Sequence, residues 1–328
     1  MSPSDRPSLS ASPSAVLAAA GLTVRPLDGL PGVRAAEELF ERIWGTSGRP
    51  PLSADVMRAV EHAGGYVVGV WAGSRLVGAS AGFLGLGPDG AVRLHSHISG
   101  LLPEAQGRRV GWALKQHQRD WALARGIDTV TWTFDPLVRR NAWFNLGKLG
   151  ACGVEYLVDF YGPLHDGLNA GQPTDRVLCH WQLRSPSVVA AAQGQALVVP
   201  SAGVPVLLGE HDGLPRPAPG GTPPGPVRLR LPVDVERLRT EQPELARAWQ
   251  GAVRGVLAPL LDAGRRTTGM TADGELVVGP APAPAAEEVG SLLLSSPRSS
   301  CTASGCRSSH RSARPSAPRS TARRCSSR

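Results

Sequence analysis

Apolar positions recur along the first half of the chain with two alternating periods, and the alternation sets out an order of elements. Val33–Trp44 carries Leu39, Phe40, Ile43 and Trp44 on one face at helical spacing, and Gly45–Pro51 breaks it. Ser53 stands where an N-cap belongs, ahead of a helix over Ala54–His62. Tyr66–Trp71 and Leu76–Phe83, joined by a turn at Ala72–Ser74, read as a β-hairpin, and a turn over Gly85–Gly90 leads into a strand from Val92. Gly111–Arg125 is the clearest helix: Trp112, Leu114, Trp121 and Leu123 supply bulk, and Gly126 stops it. Thr129–Phe134 is dense in β-branched and aromatic residues and predicts a strand. Asn141–Leu149 predicts a helix ended by Gly150, and Val154–Phe160 and Val177–Leu183 predict strands. With a short strand at Leu22–Pro26, the order is strand, two helices, three strands, helix, strand, helix, two strands. That is an α/β (α+β) order, and it excludes an all-helical protein.

After residue 185 the pattern weakens. Residues 186–227 are rich in Ala, Gly and Pro and read as a connector, with the VVPSAGVPVLL stretch extended. Asp234–Gly264 returns to helical spacing, where Pro243 and Pro259 should break or kink the helix, and Glu275–Val278 predicts a small strand. The expected organisation is a disordered tail over 1–20, one domain over 21–185, the connector over 186–227, a small C-terminal extension over 228–279, and a disordered Ser/Arg-rich tail over 280–328.

Composition narrows the class. An apolar fraction of 41% is enough for a core, and no run approaches the ~20 residues of a membrane span. Residues 1–20 lack the basic–apolar–cleavage layout of an export signal, so the expectation is a soluble cytoplasmic protein. The net charge of +8 comes from the end of the chain: eight of the 35 basic residues are arginines after Ser295, where no acidic residue occurs. The remainder holds 27 basic and 27 acidic residues. The Arg-rich tail can attract phosphates but has no aromatic residue to stack on bases, which sets a nucleic-acid partner low among the readings. Its acid-free Ser/Arg/Pro/Cys composition is also that of GC-rich DNA read in the wrong frame. Cys152 and Cys179 stand apart without paired spacing, so neither a disulfide framework nor a metal site is expected.

The stretch VRLHSHISGLLPEAQGRRVG, Val92–Gly111, carries the chemistry. It reads as a strand, a turn with Arg108, Arg109 and Gly111, then a helix start. Such a turn points several unpaired N–H groups one way, which suits the phosphates of a nucleotide-type cofactor. His95 and His97 alternate to one face of the strand and are the natural proton acceptors near neutral pH, whereas Glu104 reads as structural. Tyr156 and Tyr161 are candidate acids. Asp166, Asn169, Asp175 and Arg176 lie on a Gly/Pro-rich loop long enough to cover a cleft, where their polar groups could bind a substrate.

Two motifs resemble the Gcn5-related N-acetyltransferase (GNAT) superfamily. Arg108-Arg109-Val110-Gly111-Trp112-Ala113 fits its Gln/Arg-x-x-Gly-x-Gly/Ala signature after the fourth strand, preceded by Leu101-Leu102-Pro103-Glu104. The run Asn141–Gly150 is similar to the superfamily's later Tyr-x-Lys-Leu-Gly helix: Ala142 and Lys148-Leu149-Gly150 match, but Leu146 stands at the tyrosine position. Tyr156–Trp181, taken with that run, resembles a bacterial branch of predicted acetyltransferases. The resemblance implies a mixed, mostly antiparallel central sheet flanked by helices. It implies acetyl-CoA, or another acyl-CoA, held by Ser99, Gly100 and Leu101 on the strand, by 108–113 at the turn, and by Asn141, Asn145 and Lys148 on the later helix. A backbone N–H near Ser99–Leu101 would hold the oxyanion, and the acyl group would pass to an amine acceptor, small molecule or peptide. The superfamily tyrosine protonates the departing thiolate, so Leu146 leaves that acid unassigned and keeps a non-catalytic acyl-CoA-binding regulator as the alternative. Nucleic-acid binding through the tail is the second alternative, and the resemblance leaves a homodimer open.

Overall fold

Ser12 caps the first helix of the computed structural model, which describes residues 12–46, 49–162 and 173–280. Its Oγ accepts the Ala15 N–H at 3.2 Å, and Pro13 takes the first helical position, where no N–H is needed. This helix, α1 (Pro13–Ala19), buries Val16 and Leu17, so the expected disordered tail over 1–20 is corrected from Ser12 onward. The Ser-Pro pair that made the segment look unstructured is its helix start.

The elements that follow match the periodicity closely. They are β1 (Thr23–Pro26), α2 (Gly29–Trp44), α3 (Ala54–His62), β2 (Tyr66–Ala72), β3 (Arg75–Leu86), β4 (Val92–Leu101), a 3₁₀ turn over Pro103–Ala105, α4 (Val110–Leu123) and β5 (Thr129–Phe134). Then come α5 (Arg139–Ala142), running straight into a π-helical turn over Trp143–Lys148, β6 (Cys152–Leu157) and β7 (Arg176–Gln182). The predicted single helix over 141–149 is therefore two short pieces of different pitch.

The second half carries more structure than its composition suggests: α6 (Pro186–Ala192), β8 (Val206–His211), β9 (Leu214–Pro217), β10 (Val227–Leu229), α7 (Val235–Glu241), α8 (Pro243–Asp262), β11 (Arg266–Met270) and β12 (Leu276–Gly279). The expected connector over 186–227 is corrected, since it holds a helix and a hairpin. Pro215 and Pro217 hid that hairpin, but β9 is the last strand of the sheet, and proline is tolerated at an edge. Pro243 opens α8 at its first position, and Pro259 sits within the helix's last turn.

All twelve strands among the described residues join one sheet in the order β1-β2-β3-β4-β5-β7-β6-β11-β12-β10-β8-β9. Pairings are antiparallel except β4 with β5 and β10 with β8. The fold class is the mixed, mostly antiparallel α/β arrangement expected. Phe40, Leu39 and Met57 of α2 and α3 pack with Val67 and Ile98 on one face, each fully buried apolar side chain contributing roughly 1.5–3 kcal/mol. α1, α4 and α8 pack on the other face around Tyr66, Leu94, Trp181 and Trp249. The two halves of the sheet meet at one paired position, Gly153 opposite Thr267, where the Gly153 N–H donates to Thr267 Oγ1 at 2.6 Å. A Cβ at Gly153 would stand 2.5 Å from both Thr267 Oγ1 and Val177 Cγ1, so only glycine lets the strands approach. None of the described helices is long and apolar enough to cross a membrane.

Candidate active site

β4 and β5 pair at only two positions, Leu94 with Val130 and His95 with Thr131. Beyond them the strands part, and a cleft of about 660 Å³ opens in the wedge. Ser96–Leu101 form one wall and Trp132–Asp135 the other. Against β3, Ala81 pairs with Ile98 and Gly82 with Ser96, so His97 is the extra residue of a β-bulge. Bulges re-aim side chains, and His97 lines the cleft while His95 does not. His95 instead packs beside Phe83, ring centroids 5.1 Å apart, with its Nδ1 3.1 Å from Thr131 Oγ1.

At the mouth of the wedge three successive residues take left-handed backbone: Gly107 (φ 76°), Arg108 (φ 42°) and Arg109 (φ 64°). For the two arginines this conformation costs roughly 1–2 kcal/mol each. Among the described residues the backbone N–H groups of Arg108, Arg109, Gly111 and Trp112 find no acceptor, while Val110 and Ala113 bond back to Gly107 and Arg109. The turn thus aims free donors and the positive end of a 14-residue helix at one spot. The Arg109 guanidinium stacks 4.2 Å over the Trp112 ring, whose Nε1 donates to the Ala191 carbonyl. Val110 and Ala113 are fully buried, so they offer backbone and not side chain.

The π-helical turn closes the cleft from the side. Leu149 N–H bonds to Phe144 O, five residues back, and this wider winding sets Asn141, Phe144 and Asn145 all on the cleft. Lys148 of the same turn is exposed and lies off it. Gly111, Leu114 and Lys115 of α4 line the cleft, Ile43 and Trp44 of α2 border it, and Glu236 and Arg239 reach it from α7. Asp135 Oδ2 accepts from Arg239 at 2.6 Å, and Glu236 pairs with Arg140. Arg176 also lines the cleft and donates to the Asp175 carbonyl at 2.9 Å.

Lys115 is the group that sequence reasoning missed. Its Nζ donates to Ser96 Oγ at 3.0 Å and to Gln118 Oε1 at 2.8 Å, and it sits 4.0 Å from the centre of the Trp132 ring. Burial pushes this amine down to about 7. Burial also lowers His97, and burial together with His97 and Lys115 brings His95 down to about 4. The signal was present in the helix: Gly111, Lys115, Gln118 and Ala122 form a stripe at helical spacing that faces inward, and two of the four are polar.

Other candidates sit elsewhere. Tyr156 is buried off the cleft and donates to Asp175 Oδ2 at 2.7 Å; burial raises its phenol strongly. Asp175 also accepts the Asp159 N–H at 3.0 Å and two bonds from Arg254 at 2.8 and 2.7 Å. This carboxylate is a structural junction and does not line the cleft. Tyr161 lies outside the lining, its hydroxyl 3.1 Å from Thr133 Oγ1. Asp166 and Asn169 lie outside the described residues. Of the remaining candidates, Ser99, Gly100, Leu101, Gly111, Asn141, Asn145, His97 and Arg176 are brought together on the cleft.

The fold and the cleft define a mixed α/β protein with a turn of unpaired N–H donors at the mouth of a wedge between two parting strands. No protein-family profile matches the chain, and no curated protein does. Similar solved structures include Arabidopsis thaliana Naa50 in complex with a bisubstrate analogue, 17% identical, covering 49% of this chain and 97% of that one, TM-score 0.39. The ribosomal-protein-S18-alanine N-acetyltransferase from Escherichia coli is 15% identical over 48% of this chain and 92% of its own, TM-score 0.38. The yncA protein from Salmonella typhimurium, solved with its cofactor acetyl-CoA, is 17% identical over 50% of this chain and 94% of its own, TM-score 0.40.

Proposed function

We propose that the protein is an acyl-CoA-dependent N-acetyltransferase of the GNAT type, moving an acyl group to an amine on a small molecule or peptide. The observation that carries the reading is the wedge between β4 and β5 with free donors at its mouth. The residues present fit the coenzyme. Orphaned N–H groups of Arg108, Arg109, Gly111 and Trp112 suit a diphosphate, and the Ser96–Leu101 backbone, unpaired on its β5 side, suits an amide-bearing arm. Bound acetyl-CoA supplies the acyl group as a thioester. On the protein's side, the bulged His97 faces the cleft, its ring kept neutral by burial, and can take the proton of the attacking amine. In this reading an N–H on Ser99–Leu101 would receive the developing oxyanion.

The second reading, a non-catalytic acyl-CoA-binding regulator, draws on Leu146, which is fully buried and apolar. Calorimetry with CoA and acetyl-CoA, followed by thiol release with a panel of amines, tests both. Binding heat with thiol release supports the enzyme, heat without release supports the regulator, and no heat refutes both. Reversing charge in R108E/R109E should weaken CoA binding by at least ~10-fold if the turn holds the diphosphate.

A further inference from the structure

Acyl transfer from a thioester to an amine moves two protons: the amine gives one up, and the departing sulfur takes one. Leu146 cannot serve the sulfur, so the acid must come from elsewhere on the cleft. Among the described residues that line it, Asp135 is bound to Arg239 and Glu236 to Arg140, and guanidinium groups do not release protons. The hydroxyls of Ser96, Ser99 and Thr133 also line it but are far weaker acids than a thiol, which leaves His97 and Lys115.

We propose that Lys115 is the catalytic acid of this site, its Nζ handing a proton to the departing thiolate while His97 accepts the proton of the amine. This rests on the acyl-transfer reading. Three observations place Lys115 where the sulfur would be released. The last paired positions of β4 and β5 are His95 and Thr131, and the next residue on each strand, Ser96 and Trp132, is the one that touches Nζ. The amine therefore sits at the apex of the wedge. The turn with the free N–H donors lies towards the open end of the wedge, at the start of the helix that carries Lys115, so an arm held there would run along the wedge towards its apex.

The third observation is what surrounds the amine. Its partners are a hydroxyl, an amide oxygen and an indole face, none of them a carboxylate that would hold the proton. The titratable groups facing it from the strands are His95 on β4 and Cys179 on β7; burial keeps the first neutral at pH 7 and pushes the second well up. The chain also contains only two lysines against 33 arginines, and the other, Lys148, is exposed. An arginine at 115 would be a permanent cation. A lysine there can lose its proton.

In the step, the C–N bond forms as the C–S bond breaks. His97 gains the proton of the amine, Lys115 loses one to sulfur, and exchange with solvent restores both groups, so the products are the amide and the free thiol. An amine near 7 is a stronger acid than a thiol of ordinary value near ~8.5, so the transfer runs downhill.

The two-lysine composition makes a direct test practical. In full-length protein labelled with [13Cε]lysine, two signals are expected. Lys148 should titrate near the ordinary ~10.4 and Lys115 close to neutrality, with the Lys115 signal alone shifting when CoA fills the apex. K115M should lose about 100-fold or more in kcat with KM values within ~3-fold, and should lose the alkaline limb of the kcat profile. K115R should not restore it. Titration of Lys115 at the ordinary lysine value, or K115M turning over at the wild-type rate, overturns the proposal while leaving acyl transfer standing. No CoA heat and no turnover in the wild type overturns both. If K115M does not fold, the titration of the unaltered protein decides.

Discussion

Arg239 and Asp135 form an ion pair whose side chains are only 9% and 10% exposed, and it ties α7 to the strand end that walls the cleft. Asp135 uses both oxygens: Oδ1 accepts the Leu137 N–H at 2.9 Å and Oδ2 takes Arg239 at 2.6 Å. Arg239→Met keeps most of the stem but leaves the carboxylate buried without its cation. Breaking one side of a buried pair costs about 3–5 kcal/mol. The surviving Leu137 bond places this case towards the lower end, roughly 3 kcal/mol. For a folded body of this size that corresponds to a drop in Tm of about 6–12 °C. Asp135→Asn should cost a similar amount, since it strands the guanidinium. The double variant D135N/R239M removes both charges, so it should recover at least ~2 kcal/mol relative to the sum of the singles. Urea unfolding followed by tryptophan fluorescence reads all three, with Trp249 buried on α8, the helix that packs against α7. Single variants costing under ~1 kcal/mol, or a strictly additive double, would refute the reasoning.

Two further expectations concern stability. Gly153→Ala should cost about 1–3 kcal/mol from overpacking against Thr267 and Val177, measured by the same urea midpoints; an unchanged midpoint would mean that the strands can shift apart freely. For Asp175, burial alone would raise the carboxyl, but the Arg254 bonds, the Asp159 N–H and the Tyr156 hydroxyl outweigh it and hold the group below its ordinary range. Its contribution is therefore full above about pH 4 and is lost as pH falls through the lower folded value. Asp175→Asn should cost about 2–4 kcal/mol at pH 7 and less as the pH drops towards 3, and a penalty independent of pH would contradict the assignment.

Periodicity located the elements of the first half because each strand and helix there keeps its own apolar spacing and ends at a glycine or a turn. It failed where an element is very short or lies at the edge: β10 has three residues, and β9, the last strand of the sheet, is half proline. The cleft was legible at the turn, since Arg108 to Gly111 announce themselves between a strand and a helix. Simple alternation put His95 and His97 on equal terms, and only the bulge against Ala81 and Gly82 separates them. Asp175 and Tyr156 looked like reactive groups on a loop and a strand. Nothing near them in the chain signals that Arg254 folds back to neutralise the pair. Lys115 was hidden for a related reason: a lone lysine in an amphipathic helix reads as solvated until the helix's inward stripe is fixed by its neighbours.

A sheet normally exposes its unpaired backbone only at its two margins, where any other strand can dock and aggregation begins. Here bare main chain lies in the middle, flanked on both sides by intact ladders. The slot between β4 and β5 is therefore closed to another sheet and open only to something one chain thick. Sheltered in this way, the protein can keep a strongly adhesive surface permanently available without offering it to copies of itself.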